Sequence, residues 1–226
     1  MRRRLRRGLA WLLRGVALAT LVVVLLVLAL RWVPPPTTYY VMSEYLRLGA
    51  VERRWVPAAR LSPHLPVAVV AAEDVQFCAH AGFDFEAIRA AFADQSRLRG
   101  GSTISQQVAK NVFLWPDRSW LRKGIEAGFT VLIELLWPKA RIVEVYLNVA
   151  EFGDGIFGAE AAARHHFDRP AAELTAAQSA RLAAILPNPK ARSPVALTPF
   201  LQRRVRSIRS SMATLEAEGR VDCLAG

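Results

Sequence analysis

Glu73 and Asp74 are adjacent carboxylates that close an apolar run, and Phe77, His80, Gly82 and Asp84 follow them in AAEDVQFCAHAGFD. A carboxylate at the edge of a buried helix is partly desolvated, which raises its pKa toward values useful to a general base. An arbitrary Glu-Asp pair is more simply a solvated helix end. Here His80-Ala81-Gly82 supplies a turn that could fold side chains back toward Glu73. Glu73 is therefore the candidate chemical group, and His80 a hydrogen-bonding turn residue.

A second candidate is Gly100-Gly101-Ser102-Thr103-Ile104-Ser105-Gln106-Gln107-Val108-Ala109-Lys110-Asn111. Glycines let the backbone approach a ligand, and free N–H groups at a helix start suit a phosphate or pyrophosphate. Gln106 and Lys110 stand at i and i+4, so they are expected to share a face and extend the polar site. A flexible loop with a Ser/Thr cap would give the same letters. The run is not a Walker loop, because its Lys falls within the helix.

Arg122 and Glu126 form a third candidate. The default is a surface pair worth about 0.3–0.5 kcal/mol. The functional alternative gives Arg122 a phosphate to grip with its planar fork, and makes Glu126 a second carboxylate across the site from Glu73. The fourth is PKARIVEVYLN, with Lys139, Arg141, Glu144, Tyr146 and Asn148. Glu144 and Asn148 share a helical face beside Ile142, Val145 and Val149, and a buried structural network competes evenly there with substrate contact.

These groups need helices to hold them. Ser62-Pro63 and Pro66 precede an apolar helix over Val67–Asp74, and Asp84 can cap one running through Ile88 and Phe92. Ser119 opens a longer helix with Leu121, Ile125, Phe129, Leu132, Ile133 and Leu136 at helical spacing, stopped by Pro138. Further helices are expected over Ala140–Val149 and Ile156–Phe167. Thr175-x-x-Gln178 is a capping box ahead of Ala176–Leu186. Thr198-Pro199 starts a last, basic amphipathic helix with Arg203, Arg204, Arg206 and Arg209. Residues 37–62 carry mixed signals, strand signals are scarce, and the domain is expected to be all-α or nearly so.

The chain has 226 residues, one domain or a small pair, and at 53% hydrophobic it is not a disordered composition. Its net charge of +11 resembles a nucleic-acid binder only until the charge is located. Arg2, Arg3, Arg4, Arg6, Arg7, Arg14 and Arg31 lie in residues 1–34 with no acid, leaving +4 for the rest. Gly15 to Leu30 is free of charge, LAWLL extends it beyond Arg14, and Trp11 and Trp32 stand at the two ends. No small-x-small site follows, so an uncleaved anchor is favoured over a signal peptide. Six Arg before the span against one after it place the N-terminus in the cytoplasm. Pro34-Pro35-Pro36 would be a stiff spacer lifting the next domain off the membrane. The expected division is a cytoplasmic segment over 1–8, the anchor over 9–32, a linker and juxtamembrane segment over 33–62, and the catalytic domain over 63–226.

EDVQFCAHAGFD, GGSTISQQVAKN, RKGIE and KARIVEVYLN, in this order, resemble the motifs of the family 51 peptidoglycan glycosyltransferases. FLWPDRSW and AEFGDGIFGAEAAARHHF resemble the monofunctional proteobacterial branch. The resemblance runs from about Leu65 to Pro194 and implies a mainly α, lysozyme-like, two-lobed helical domain. It also implies polymerisation of lipid II into β-1,4 glycan, with inversion and release of undecaprenyl pyrophosphate.

By the same resemblance Glu73 is the general base and Glu126 the second carboxylate, which orients the cations or holds a divalent ion. Lys110 and Arg122 neutralise the pyrophosphate. Ser102, Thr103, Gln106 and Asn111 line the substrate strip, with Lys139 among the binding groups. Asp74, His80, Asp84, Glu144 and Asn148 support the site. Mg2+ or Mn2+ is implied for many members, although no metal-ligand cluster is legible here. Phe85 to Arg99 corresponds to a mobile family segment and is expected to act as a lid.

The implied partners are lipid II, the growing lipid-linked chain, the membrane, and proteins of the divisome or elongation machinery, with no nucleic acid. Cys78 and Cys223 could pair in an oxidising periplasm, but with no geometry to join them a bond is not expected. Ser193-Pro194 is not part of a Ser-x-x-Lys motif, and the residues after Pro194 leave no room for a transpeptidase, so a monofunctional enzyme is expected. A lytic hydrolase would also need a Glu but would have no use for Lys110 and Arg122. An inactive scaffold would have no need to keep these groups.

Overall fold

The computed structural model describes residues 2–86, 89, 101–117 and 119–225. Helix α1 (Arg2–Ala29) carries the apolar stretch Arg6–Ala29. At about 1.5 Å per residue it exceeds the roughly 30 Å of a hydrocarbon core. Leu9, Trp11, Leu18 and Leu25 are exposed along it, so it has the length and the bare apolar surface of a single-pass membrane anchor.

The end of α1 is docked, not spaced. Trp137 Nε1 donates to the Val27 carbonyl at 2.8 Å, Arg141 Nη2 to those of Leu30 at 2.8 Å and Val33 at 2.9 Å, and Arg31 Nη1 to that of Leu136 at 2.9 Å. Donors from the domain thus satisfy carbonyls that a helix end leaves unpaired. The Pro34–Pro36 segment lies against the same surface, with Arg53 donating to the carbonyls of Pro35 and Pro36. The expected spacer is therefore a strap.

Residues 37–62, read as a linker, form part of the fold. Thr38 caps α2 (Tyr39–Leu48), and Gly49 at φ 79° ends it in the left-handed region that glycine tolerates. Strand β1 (Glu52–Arg53) pairs parallel with β3 (Ile156–Phe157), which pairs antiparallel with β2 (Glu151–Gly153). This small sheet corrects the helix expected over Ile156–Phe167, of which only the later part is helical. Gly158, at φ 86°, turns the chain so tightly that a Cβ would stand 3.0 Å from the Asn148 carbonyl oxygen, and α7 (Ala159–Phe167) begins after it.

The remaining helices make the core. Helix α3 (His64–Glu73) is apolar nearly all round and buried from Val67 to Ala71, as a central helix must be. It starts earlier than Val67 because Pro66 falls in its first turn, where the missing N–H costs nothing. α8 (Ala176–Ile185) and α9 (Pro199–Ala217) pack on α3, whereas α4 (Ile104–Phe113) packs on α5 (Trp120–Leu136). Helix α6 (Lys139–Val149) touches both groups. Ser119 and the Thr175–Gln178 box cap α5 and α8 as expected.

Cys78 and Cys223 are joined by a disulfide, with Cα atoms 5.8 Å apart across 145 residues of chain. This overturns the expectation of no bond. Helix α9 runs back along α3 and delivers the terminal turn to the turn after Glu73, where Arg220 also donates to Val75 O at 3.3 Å and Gln76 Oε1 at 2.9 Å. In the chain-entropy picture, a loop this long is worth about 5 kcal/mol.

Candidate active site

Glu73 is the last residue of α3, and Asp74 is its C-cap. Asp74 is buried and acts as a hub: His80 Nε2 lies 2.9 Å from Oδ1, and the Ile104 N–H donates to Oδ2 at 2.9 Å. Because Ile104 opens α4, Asp74 ends one helix and caps the next. His80 Nδ1 accepts the Gly82 N–H at 3.0 Å, which leaves Nε2 to carry the proton that Asp74 receives. Lys139, expected to bind substrate, is committed to this support. Its Nζ donates to His80 O at 2.7 Å, pairs with Glu134 at 2.9 Å and sits 4.3 Å from the Phe77 ring centroid.

Helix α4 presents a different face from the one expected. Thr103 and Gln106 form a capping box, and Thr103 Oγ1 also donates to the Gly82 carbonyl at 2.7 Å, so both side chains are consumed at the helix start. With the N–H of Ile104 on Asp74 and that of Gln106 on Thr103, this N-terminus is not an open phosphate cradle. Gln107, Lys110 and Asn111, spaced i, i+3 and i+4, instead face a cavity of about 630 Å³. Tyr40, Trp115, Arg122, Tyr146 and Lys190 also line it. Ser102 lies half-buried ahead of α4. Asp84 is half-buried where the described residues break off, and most of the expected lid, with Ile88 and Phe92, lies outside them.

Gln107 bridges the cavity to Glu73. Its Nε2 donates to Glu73 Oε2 at 3.1 Å, and its Oε1 accepts from the Tyr146 hydroxyl at 3.2 Å. On the other side Arg204 Nη2 lies 3.4 Å from Glu73 Oε1. Burial pushes the Glu73 carboxyl above the usual glutamate range, and the Asp74 charge adds to it. The Gln107 hydrogen bond and the charges of Arg204 and Arg192 pull the other way without cancelling the rise. Burial likewise raises the Tyr146 phenol, with the Glu73 charge adding.

Arg122 lines the cavity through a buried side chain whose Nη1 donates to Glu126 Oε2 at 2.8 Å; its Nε has no partner. Glu126 is itself buried, and its other oxygen pairs with Lys123. It thus orients cations and does not line the cavity across from Glu73. Lys110 is exposed at the mouth, yet desolvation by the surrounding walls, with Arg122 and Lys123 nearby, lowers its pKa against the pull of Glu126. Solvent still reaches the ammonium at the cavity mouth.

The structure resolves the balance at Glu144 and Asn148 in favour of a network. Asn148 accepts the Val56 N–H at 2.8 Å and donates to Val56 O at 2.9 Å, while Glu144 takes the Ala58 N–H at 3.0 Å and pairs with Arg141. Among the described residues, the clustered acids that could take a divalent ion are already engaged by cations. Both Glu126 oxygens hold cations, and the Glu44–Glu151–Asp154 group is occupied by Arg47 and by Lys190, whose Nζ is 2.9 Å from Glu44.

Sequence reasoning missed Gln107, Tyr40, Lys190 and Arg204. Helical spacing from Lys110 could have found Gln107. No local signal pointed to Arg204, which is 131 residues from Glu73.

A family described as Transglycosylase matches residues 41–213. A protein of Rhodospirillum centenum named biosynthetic peptidoglycan transglycosylase is 53% identical over 226 residues, covering 98% of this chain and 96% of its own. One of the same name from Jannaschia sp. (strain CCS1) is 53% identical over 95% of this chain and 90% of its own. Another, from Caulobacter vibrioides, is 47% identical over 95% and 97% respectively.

Proposed function

The chain belongs to the transglycosylase family and is a peptidoglycan glycosyltransferase, and on that premise we propose that it polymerises lipid II with Glu73 as the general base. The 4-hydroxyl of the acceptor's terminal sugar gives its proton to a Glu73 oxygen as the hydroxyl oxygen attacks the anomeric carbon of the donor chain. The anomeric C–O bond breaks, its electron pair leaves with undecaprenyl pyrophosphate, and the configuration inverts from α to β. A pyrophosphate leaving group needs charge stabilisation more than a proton, and Lys110 and Arg122 supply it, with Arg122 held in place by Glu126. Asn111 and Gln107 offer hydrogen bonds to the sugars.

The observation that carries this reading is the conjunction of a half-buried Glu73, its carboxyl pKa raised by desolvation and bridged by Gln107, with a cavity lined by Lys110 and Arg122. The Arg asymmetry about α1 supports a cytoplasmic N-terminus and a periplasmic catalytic domain. In that orientation the anchor confines the enzyme to the surface where a polyprenyl-linked substrate resides.

Polymerisation of labelled lipid II by the full-length protein tests the proposal. Wild type is expected to give long glycan and Glu73→Gln none, a loss of at least about a hundredfold for removal of a general base. A Glu73→Gln enzyme with near-normal rate would remove Glu73 from the role. A wild type that cuts preformed glycan and makes none would replace synthesis with hydrolysis.

A further inference from the structure

We propose that Arg204, on the C-terminal helix α9, is a positioning residue for glycosyl transfer, fixing the Glu73 carboxylate and keeping it in its charged form. The inference rests on the reading of Glu73 as the base. Glu73 is gripped from two elements at once: Gln107 of α4 donates to Oε2 at 3.1 Å, and Arg204 of α9 approaches Oε1 at 3.4 Å. The same Arg204 nitrogen lies 3.5 Å from the Ala72 carbonyl, and the Arg204 Nε is buried without a partner. A surface arginine would not carry that cost.

The charge balance around Glu73 explains why such a residue is needed. Asp74 is next to it in the chain and opposes its ionisation, as does burial. Arg204 of α9 and Arg192 of the preceding loop favour ionisation. Lys110 of α4 and Tyr146 of α6 also feel the Glu73 charge. Of these cations, Arg204 is the one within ion-pair distance. Its contact is single and long, not a bidentate fork. A fork would hold the carboxylate so firmly that it accepted a proton poorly. A single contact favours the charged form and still leaves the carboxylate basic.

Its position is well determined. Leu201, Val205, Ile208, Met212 and Leu215 bury the apolar stripe of α9, and the Cys78–Cys223 bond ties the segment beyond it to the turn after Glu73. Arg204 is therefore aimed by the packing of a whole helix.

The test is the pH dependence of lipid II polymerisation by full-length wild type, Arg204→Gln, Arg204→Lys and Glu73→Gln. Removing the cation raises the pH at which Glu73 loses its proton. The acid limb of Arg204→Gln is expected to move up by about one pH unit, with rates about tenfold lower along that limb and recovery toward the wild-type plateau at higher pH. Arg204→Lys keeps the charge and is expected to restore most of the limb. An Arg204→Gln enzyme slowed equally at every pH, or changed only in KM, would overturn the proposal in favour of a structural or substrate-binding role. A Glu73→Gln enzyme that still polymerises would sink the base assignment itself, which separates the two failures. Should Arg204→Gln not fold, Arg204→Met, which keeps the apolar stem, is judged by the same criterion.

Discussion

At Glu73 two demands on one side chain conflict. The burial that makes the carboxylate a better base also makes its charged form a burden on the fold. A carboxyl whose folded pKa lies above its unfolded one favours the folded state most below both values, and loses that advantage as pH rises through them. Glu73→Gln, an isosteric neutral replacement, is therefore expected to raise Tm at neutral pH. The gain should shrink as pH falls through the ordinary glutamate pKa of about 4.3, because well below it Glu73 is protonated in both states. Thermal melts of both proteins across that range check it, and a gain that grew on acidification would contradict the burial argument. Asp74, next to it, carries a structural load. It is buried but receives bonds from His80 and the Ile104 N–H, so Asp74→Ala would leave both donors unpaired. The expected loss is about 2–4 kcal/mol of stability, read from denaturant midpoints.

At the scale of elements, the sequence is legible where the signal is local. Ser119 before a periodic apolar run gives α5, and Thr175-x-x-Gln178 gives α8, because a cap acts within one turn. It misleads where the same letters serve two purposes. The hydroxyl and amide of Thr103 and Gln106 suit a sugar as well as a helix cap, and folding used them for the cap. The short strand over Ile156–Phe157 exists because β1 arrives beside it from a hundred residues away, a contact that periodicity cannot register. Asn148 shows the same limit, since its partner Val56 is 92 residues distant. Its two bonds to Val56 hold the segment after β1 against α6, so Asn148→Ala is expected to cost about 1–3 kcal/mol and leave the polymerisation rate of the folded protein nearly unchanged. A melt and a rate measured on the same preparation separate the two effects.

At the scale of the molecule, the disulfide and the anchor are the two long-range ties. Reducing Cys78–Cys223, or replacing both residues with Ser, is expected to lower Tm, with about 5 kcal/mol as the chain-entropy limit. An unchanged Tm after verified reduction would mean that α9 packing alone holds the terminal turn. The other tie joins α1 to α5 and α6 through Trp137, Arg141 and Arg31, which hold the end of the helix directly on the domain. A single helix longer than the hydrocarbon layer relieves the mismatch by leaning. A helix on a loose tether would lean alone, whereas this one carries its domain with it. Bilayer thickness thus becomes a mechanical input. The attitude of the cavity mouth toward the lipid headgroups follows the tilt of α1, as the angle of a blade follows its handle.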